Sequence, residues 1–468
     1  MDLIRGSHVI AVAGLCVWGI PGAAFAQTQV QDAYYNFLLG RHLSGEGDQA
    51  AALTALERAA SLDPKSAEVR AEIASVQIQK NPQQAEQTAK AALALDPDNA
   101  VANRILGLLY AEASRNAKGD AKVARARDAL PYLERTVNSS PTDINMAYRL
   151  GQMYLEAGDA PKAIGAFSRV VDLSPDSAQA REALATAQAS IKDYKGAIQT
   201  LQPIAEDEPS VLPLIGGYQQ QAGLLTDAIA TYTKALESEP KNATLKATRI
   251  LAMIDAKQYQ NAITFAADAR RQHPDDRRFP WLQSRALFRS GSSSQAIEIL
   301  ESTVKAYPRD FGLQLELADY YNDSGRGADA EKLLRQLIDN DPSNADALNY
   351  LGYLFARNGR NLDEAISLVN RALKLEPNSG AYLDSLGWAY FKRGDLTQAE
   401  KYLKDAATAL PENGEILDHL GDLHARQGRW QDAIDAWSQA LKGSTSDIDP
   451  AVIQKKIDDA RSKVSGSR

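Results

Sequence analysis

The chain has 468 residues, 24% of them charged and 7% aromatic, with a formal net charge of -8. That acidic balance argues against a duplex nucleic-acid partner, whose phosphates call for a basic surface. The single cysteine, Cys16, leaves the rest of the chain without disulfides or thiol chemistry.

Residues 1–26 are of a different kind from the remainder. An apolar run from Val9 to Ile20 follows Arg5 and ends at Pro21-Gly22, and Ala24-Phe25-Ala26 supplies the small residues of a processing site. The spacing predicts a cleaved export signal with Gln27 as the new N-terminus. The alternative is an uncleaved anchor that tethers the protein to a membrane. Leu15 precedes Cys16 where lipid attachment calls for a small residue, so no lipid anchor is expected. After a short lead-in over 27–32, the chain is expected to be periplasmic or otherwise exported, with no integral span once the signal is removed.

From Ala33 onward a proline returns at intervals of 31 to 44 residues, most often 34: Pro64, Pro97, Pro141, Pro175, Pro209, Pro240, Pro274, Pro308, Pro342, Pro377 and Pro411. Twelve residues before each stands an alanine, from Ala52 to Ala399. Such a period denotes a stacked array of small units in place of one core. Within the unit that ends at Pro411, Leu383, Leu386, Gly387 and Tyr390 make one helical stripe, and Ala399, Leu403 and Ala406 make a second. Gly394 separates them, because glycine closes a helix in the left-handed conformation at no steric cost. The predicted fold is all-α, with repeats 1–5 over 33–208, repeats 6 and 7 over 209–276, and repeats 8–12 over 277–447. A capping helix and tail follow over 448–468.

Three repeats depart from the pattern. The third carries a ten-residue, cation-rich insertion near 114–127, expected to be a solvated helical extension, with an anionic glycan, lipid headgroup or acidic protein patch as the alternative contact. The sixth is short by three residues and places Pro213 inside its expected first helix. The seventh has Lys257 in place of the glycine cap and Ile250 where a small residue belongs. Repeats 6 and 7 are therefore expected to form a kink or flexible joint.

The pattern Leu150-Gly151…Tyr154…Ala163…Phe167…Pro175, repeated at Leu386-Gly387…Tyr390…Ala399…Leu403…Pro411, resembles the tetratricopeptide repeat. The resemblance implies a right-handed superhelical solenoid of about twelve helix-turn-helix units whose first helices line a concave groove. It places Asn349, Tyr353 and Arg357, then Asp384, Trp388, Phe391 and Lys392, then Asp418, Asp422 and Arg426 on that groove as partner-binding residues. Aromatics among charges suit a binding hot spot, with Trp388 as its centre or, in the alternative, packed on a neighbouring helix. Asp384, Asp418 and Asp422 are out of place for a clamp on a terminal carboxylate, and point to a mixed or basic peptide surface. Together with Glu415 they form a solvated acidic stripe, a hard-cation site being the alternative. The segment Gly380–Trp388, with Asp418-His419-Leu420-Gly421-Asp422, is similar to exported bacterial repeat proteins, some of which are adaptors for envelope proteases.

No histidine, serine or carboxylate spacing matches a catalytic motif, and the repeats occupy the chain. The sequence thus predicts a non-enzymatic scaffold without cofactor or metal, holding a protein or peptide in its groove as an adaptor or assembly factor of the bacterial envelope. A structural part of an exopolysaccharide or envelope-export apparatus is the alternative.

Overall fold

The computed structural model describes residues 21–443 and 448–466, and side chains over 29–443 and 448–464. The expected export signal lies mostly outside the described residues. The first helix starts at Pro21 and runs through the expected cleavage point. Among the described residues there is no strand, and no helix is long and apolar enough to cross a membrane.

Among the described residues twenty-five α-helices make up two compact bodies, Met1–Leu245 and Lys246–Arg468. The first body holds α1 (Pro21–Gly45) with α2 (Gln49–Leu62), α3 (Ala67–Gln77) with α4 (Pro82–Leu93), α5 (Ala100–Arg115) with α6 (Gly119–Ser139), α7 (Ile144–Glu156) with α8 (Ala160–Leu173), α9 (Ala178–Ser190) with α10 (Tyr194–Leu201), and α11 (Leu212–Gln221) with α12 (Leu225–Ser238). The boundary falls inside α13 (Ala243–Asp255). The second body continues with α14 (Tyr259–Gln272), α15 (Arg278–Arg289) with α16 (Ser293–Ala306), α17 (Phe311–Asp323) with α18 (Gly327–Asn340), α19 (Ala345–Arg357) with α20 (Leu362–Leu375), α21 (Gly380–Arg393) with α22 (Leu396–Ala409), α23 (Gly414–Arg426) with α24 (Trp430–Ala440), and α25 (Pro450–Gly466). In the first body α1 to α12 pack pair mate on pair mate and successive pairs on one another, and in the second body α14 packs on α15 and the helices from α15 to α25 do the same.

Local chemistry starts and stops these helices. Asp or Asn side chains cap the N-termini of α7, α8, α17, α19 and α23 by accepting a bond from the third backbone N–H. At the other end Gly394 closes α21 at φ +92°. Lys257, expected to break the register of repeat 7, takes the same left-handed role at φ +58°, at a cost of about 1 kcal/mol relative to glycine. The recurring prolines lie between the pairs. Four of their carbonyls are held from the following first helix: Arg70 donates to Pro64 O, Asn103 to Pro97 O, Arg181 to Pro175 O and Gln314 to Pro308 O, each six residues on.

The two helices of a pair meet where one side chain is small and its counterpart large. A Cβ added at Gly151 would lie 2.6 Å from the Phe167 ring, and one at Gly387 would lie 2.7 Å from Leu403 Cγ. Repeat 7 reverses the volumes: buried Ile250 stands in the small-residue register and buried Ala266 in the large one, a swap that conserves total volume. Gly387→Val is expected to overpack the α21–α22 contact and lower stability by about 1–3 kcal/mol, read as a shifted denaturation midpoint. An unchanged midpoint would mean that the pair relaxes freely.

Pro213 does not interrupt its helix. Because α11 begins at Leu212, the proline occupies the first turn, where its missing N–H leaves no bond unmade. The insertion in repeat 3 is likewise helical. It extends α5 to Arg115 and gives α6 21 residues, and Ser114 Oγ ties α5 to α6 by donating to Lys122 O, or to α7 by donating to Glu156.

Candidate partner-binding face

The first helices α15, α17, α19, α21 and α23 of the second body and then α25 present one side of the stack. Along it, side chains one period apart reach each other across neighbouring first helices. Trp281 Nε1 donates to Glu316, 35 residues on. The same spacing joins Asp384 to His419, whose Nδ1 lies 2.9 Å from Oδ1 and 3.1 Å from Oδ2. Lys456 of α25 donates to both Asp418 and Asp422 at 2.7 Å. Tyr353 OH donates to Glu415 Oε1 at 2.7 Å, spanning two repeats.

Trp388 is 9% exposed, as is Phe391. The indole stacks on His419 at 3.9 Å between centroids and on Phe391 at 4.7 Å. Lys392 Nζ stands 4.8 Å from the indole centroid, and the Arg426 guanidinium 4.9 Å from that of Phe391. Arg426 also donates to Phe391 O at 2.9 Å. These aromatics are therefore largely buried, because the indole is stacked on Phe391 of its own helix and on His419 of the next first helix. Asn349 is half-buried, with an Oδ1 that has no hydrogen-bond partner among the described residues.

Electrostatics follow from this packing. Burial works against protonation of His419, but the Asp384 carboxylate, aided by Glu415 and Asp418, outweighs it and holds the imidazole above its ordinary range. Burial also pushes Asp422 up, reinforced by Asp418 and opposed by Lys456. Burial, then Glu415, drives the Tyr353 phenol well above its usual range. The stripe expected to be solvated is instead met by His419 and Lys456. Among the described residues no three His, Cys, Asp or Glu side chains gather where they could hold a metal ion.

What remains open is cationic. Arg357, Lys392 and Arg426 are exposed, and they occupy the last turns of three successive first helices at 35- and 34-residue spacing. Arg357 is bonded to Asp323 at 2.9 Å on one side. The sequence reading overlooked His419 and Lys456 as members of this face. Their offset of one period from Asp384 and Asp422 was the available signal.

Two tetratricopeptide repeat family models match the chain, one over residues 315–380 and 385–450 and one over 185–343, together more than half of it. A model described as anaphase-promoting complex, cyclosome, subunit 3 matches residues 123–204. A TPR repeat-containing protein of Pseudomonas aeruginosa is 37% identical over 144 residues, 30% of this chain and 24% of that protein. Cellulose synthase operon protein C of Pseudomonas fluorescens is 27% identical over 159 residues, 32% of this chain and 12% of that protein. The matched stretches thus span a quarter or less of these relatives' lengths. The crystal structure of yeast Tom70 aligns with 92% of this chain and 96% of its own, at 14% identity and a TM-score of 0.46.

Proposed function

Because the chain belongs to the tetratricopeptide repeat family, whose arrays suit protein–protein interaction, we propose that it is a non-catalytic, exported scaffold. It holds a protein or peptide partner against its first-helix face and serves as an adaptor or assembly factor in the bacterial envelope, an envelope protease or assembly machine being the kind of partner expected. The observation that carries this reading is the row of exposed cations Arg357, Lys392 and Arg426, held in place by Asp323, the Trp388 ring and Phe391 O on a face whose other groups are mostly buried. A surface already ordered by its own contacts spends little conformational entropy on binding. Export rests on the leader over residues 1–26, with a tether through an uncleaved leader as its alternative.

Trp388→Ala would confound binding with stability, since the indole is part of the packing. The clean test is the triple variant Arg357→Gln, Lys392→Gln, Arg426→Gln. The wild-type chain is expected to retain a defined protein from envelope extracts by mass spectrometry, and the triple variant to lose it while melting normally. Equal retention by both, or no retained protein, would overturn the reading.

A role in an exopolysaccharide or envelope-export apparatus is the second reading, favoured by the similarity to the cellulose synthase operon protein. It requires saturable binding of a polysaccharide that the partner protein does not displace.

A further inference from the structure

The first body carries an open recess that the preceding reading does not use. It lies between α5, α7 and α9, has a volume of about 620 Å³, and is lined among others by Arg104, Arg115, Tyr148, Arg149, Gln152 and Gln179. We propose that this recess binds acidic peptide segments, with Arg149 as the principal carboxylate anchor. The proposal rests on the reading that first-helix faces hold a protein partner, and it names the chemistry of that partner.

Three observations support it. Arg149 is half-buried and forms no ion pair with any described carboxylate, whereas its neighbours are engaged. Arg104 donates to Asp143 at 2.5 Å, Arg115 pairs with Glu112 at 3.0 Å, and Glu156 is taken by Lys122 and Ser114. A half-buried guanidinium without a counter-charge offers a planar pair of donors to an incoming carboxylate. Second, Arg115 is the last residue of α5. The insertion that lengthens this helix is what brings a further cation to the recess. Third, the remaining lining suits a chain, not a lone ion. Leu108 and the exposed side chain of Ile144 supply apolar surface. Gln152 and Gln179 supply amides able to meet a peptide backbone. Tyr148 is fixed edge-on against Phe167, with a centroid separation of 5.5 Å, and accepts from Gln179. The volume lies within the usual range for a binding cleft.

The test is a fluorescence-anisotropy titration of the intact chain with a fluorescein-labelled hexaglutamate peptide, amidated at its C-terminus so that only side-chain carboxylates are offered. Saturable binding is expected, weakened by added salt, and hexaglutamine should not bind. Arg149→Glu should raise Kd about tenfold or more and Arg149→Gln by a smaller factor, with circular-dichroism melting confirming that both variants fold. Lys374→Gln, an exposed position on second helix α20 of the other body, should leave Kd unchanged. Equal affinity of wild type and Arg149→Glu, or binding of polygalacturonate without binding of hexaglutamate, would overturn the proposal. An envelope partner retained undiminished by Arg149→Glu would also overturn it, while leaving the scaffold reading intact. Loss of hexaglutamate binding in Arg149→Glu with no envelope partner found would support the recess and sink the scaffold reading instead.

Discussion

Asp384→Ala is expected to destabilise the second body by about 3–5 kcal/mol, the range for breaking a buried charge pair from one side. Both side chains are nearly excluded from solvent, at 7% exposure for Asp384 and 9% for His419. Removing the carboxylate strands the imidazole under the Trp388 ring with no other bonded acceptor. Asp384→Asn should cost less, since an amide oxygen still accepts from Nδ1. Differential scanning calorimetry, with hydrogen exchange over α21 and α23, would show the loss. A change below about 1 kcal/mol would mean that the pair is not formed.

The same pair sets a pH dependence. His419 is held above its ordinary value of 6.5 in the folded state. Its stabilising contribution is therefore complete below that value, and it is lost as pH rises through the higher folded-state value. Wild-type protein should melt at a lower temperature as pH is raised above about 6.5, and this slope should flatten in Asp384→Ala. A wild-type profile that climbs over that window would contradict the assignment.

Ile457→Ala is expected to cost about 2–4 kcal/mol and to loosen the end of the array. Ile453, Ile457 and Ala460 form a buried stripe on α25 against Ala433, Ile434 and Trp437 of α24. In a linear array each pair is stabilised chiefly by its neighbours, so the last pair depends on this helix. Deleting residues 450–466 should have the larger effect, because it also removes Lys456 and leaves Asp418 and Asp422 in a partly buried acidic pair. Hydrogen exchange should report faster opening of α23 and α24 than of α17. Uniform exchange along the second body would show that α25 contributes little.

Much of this architecture was legible in the sequence because it is periodic and local. Proline and glycine act on the backbone of their own segment, so Pro411 and Gly394 mark helix limits without reference to distant residues. The pairing of Gly387 with Leu403, or Gly421 with Trp437, follows from a constant offset within one repeat. Where the register slips, the helix ends adapt locally. Lys257 adopts the left-handed conformation itself, and Pro213 falls on a helix start that shifts to accommodate it.

The candidate face was less legible. Its charges lie on first helices α19, α21 and α23, but whether a charge meets a partner or a neighbouring repeat depends on side chains 31 to 38 residues away. Asp384 is answered by His419, and Asp418 and Asp422 by Lys456. Trp388 is covered by rings from its own helix and the next. Arg149 is left without an acid. By itself, then, the sequence determined the repeat, its helix limits and the matched volumes inside each pair, all of which arise from steric and conformational preferences acting over a few turns. Only the tertiary structure decided which polar groups are consumed in holding the stack together and which remain free to bind, because desolvation and charge pairing depend on what the next helix places opposite.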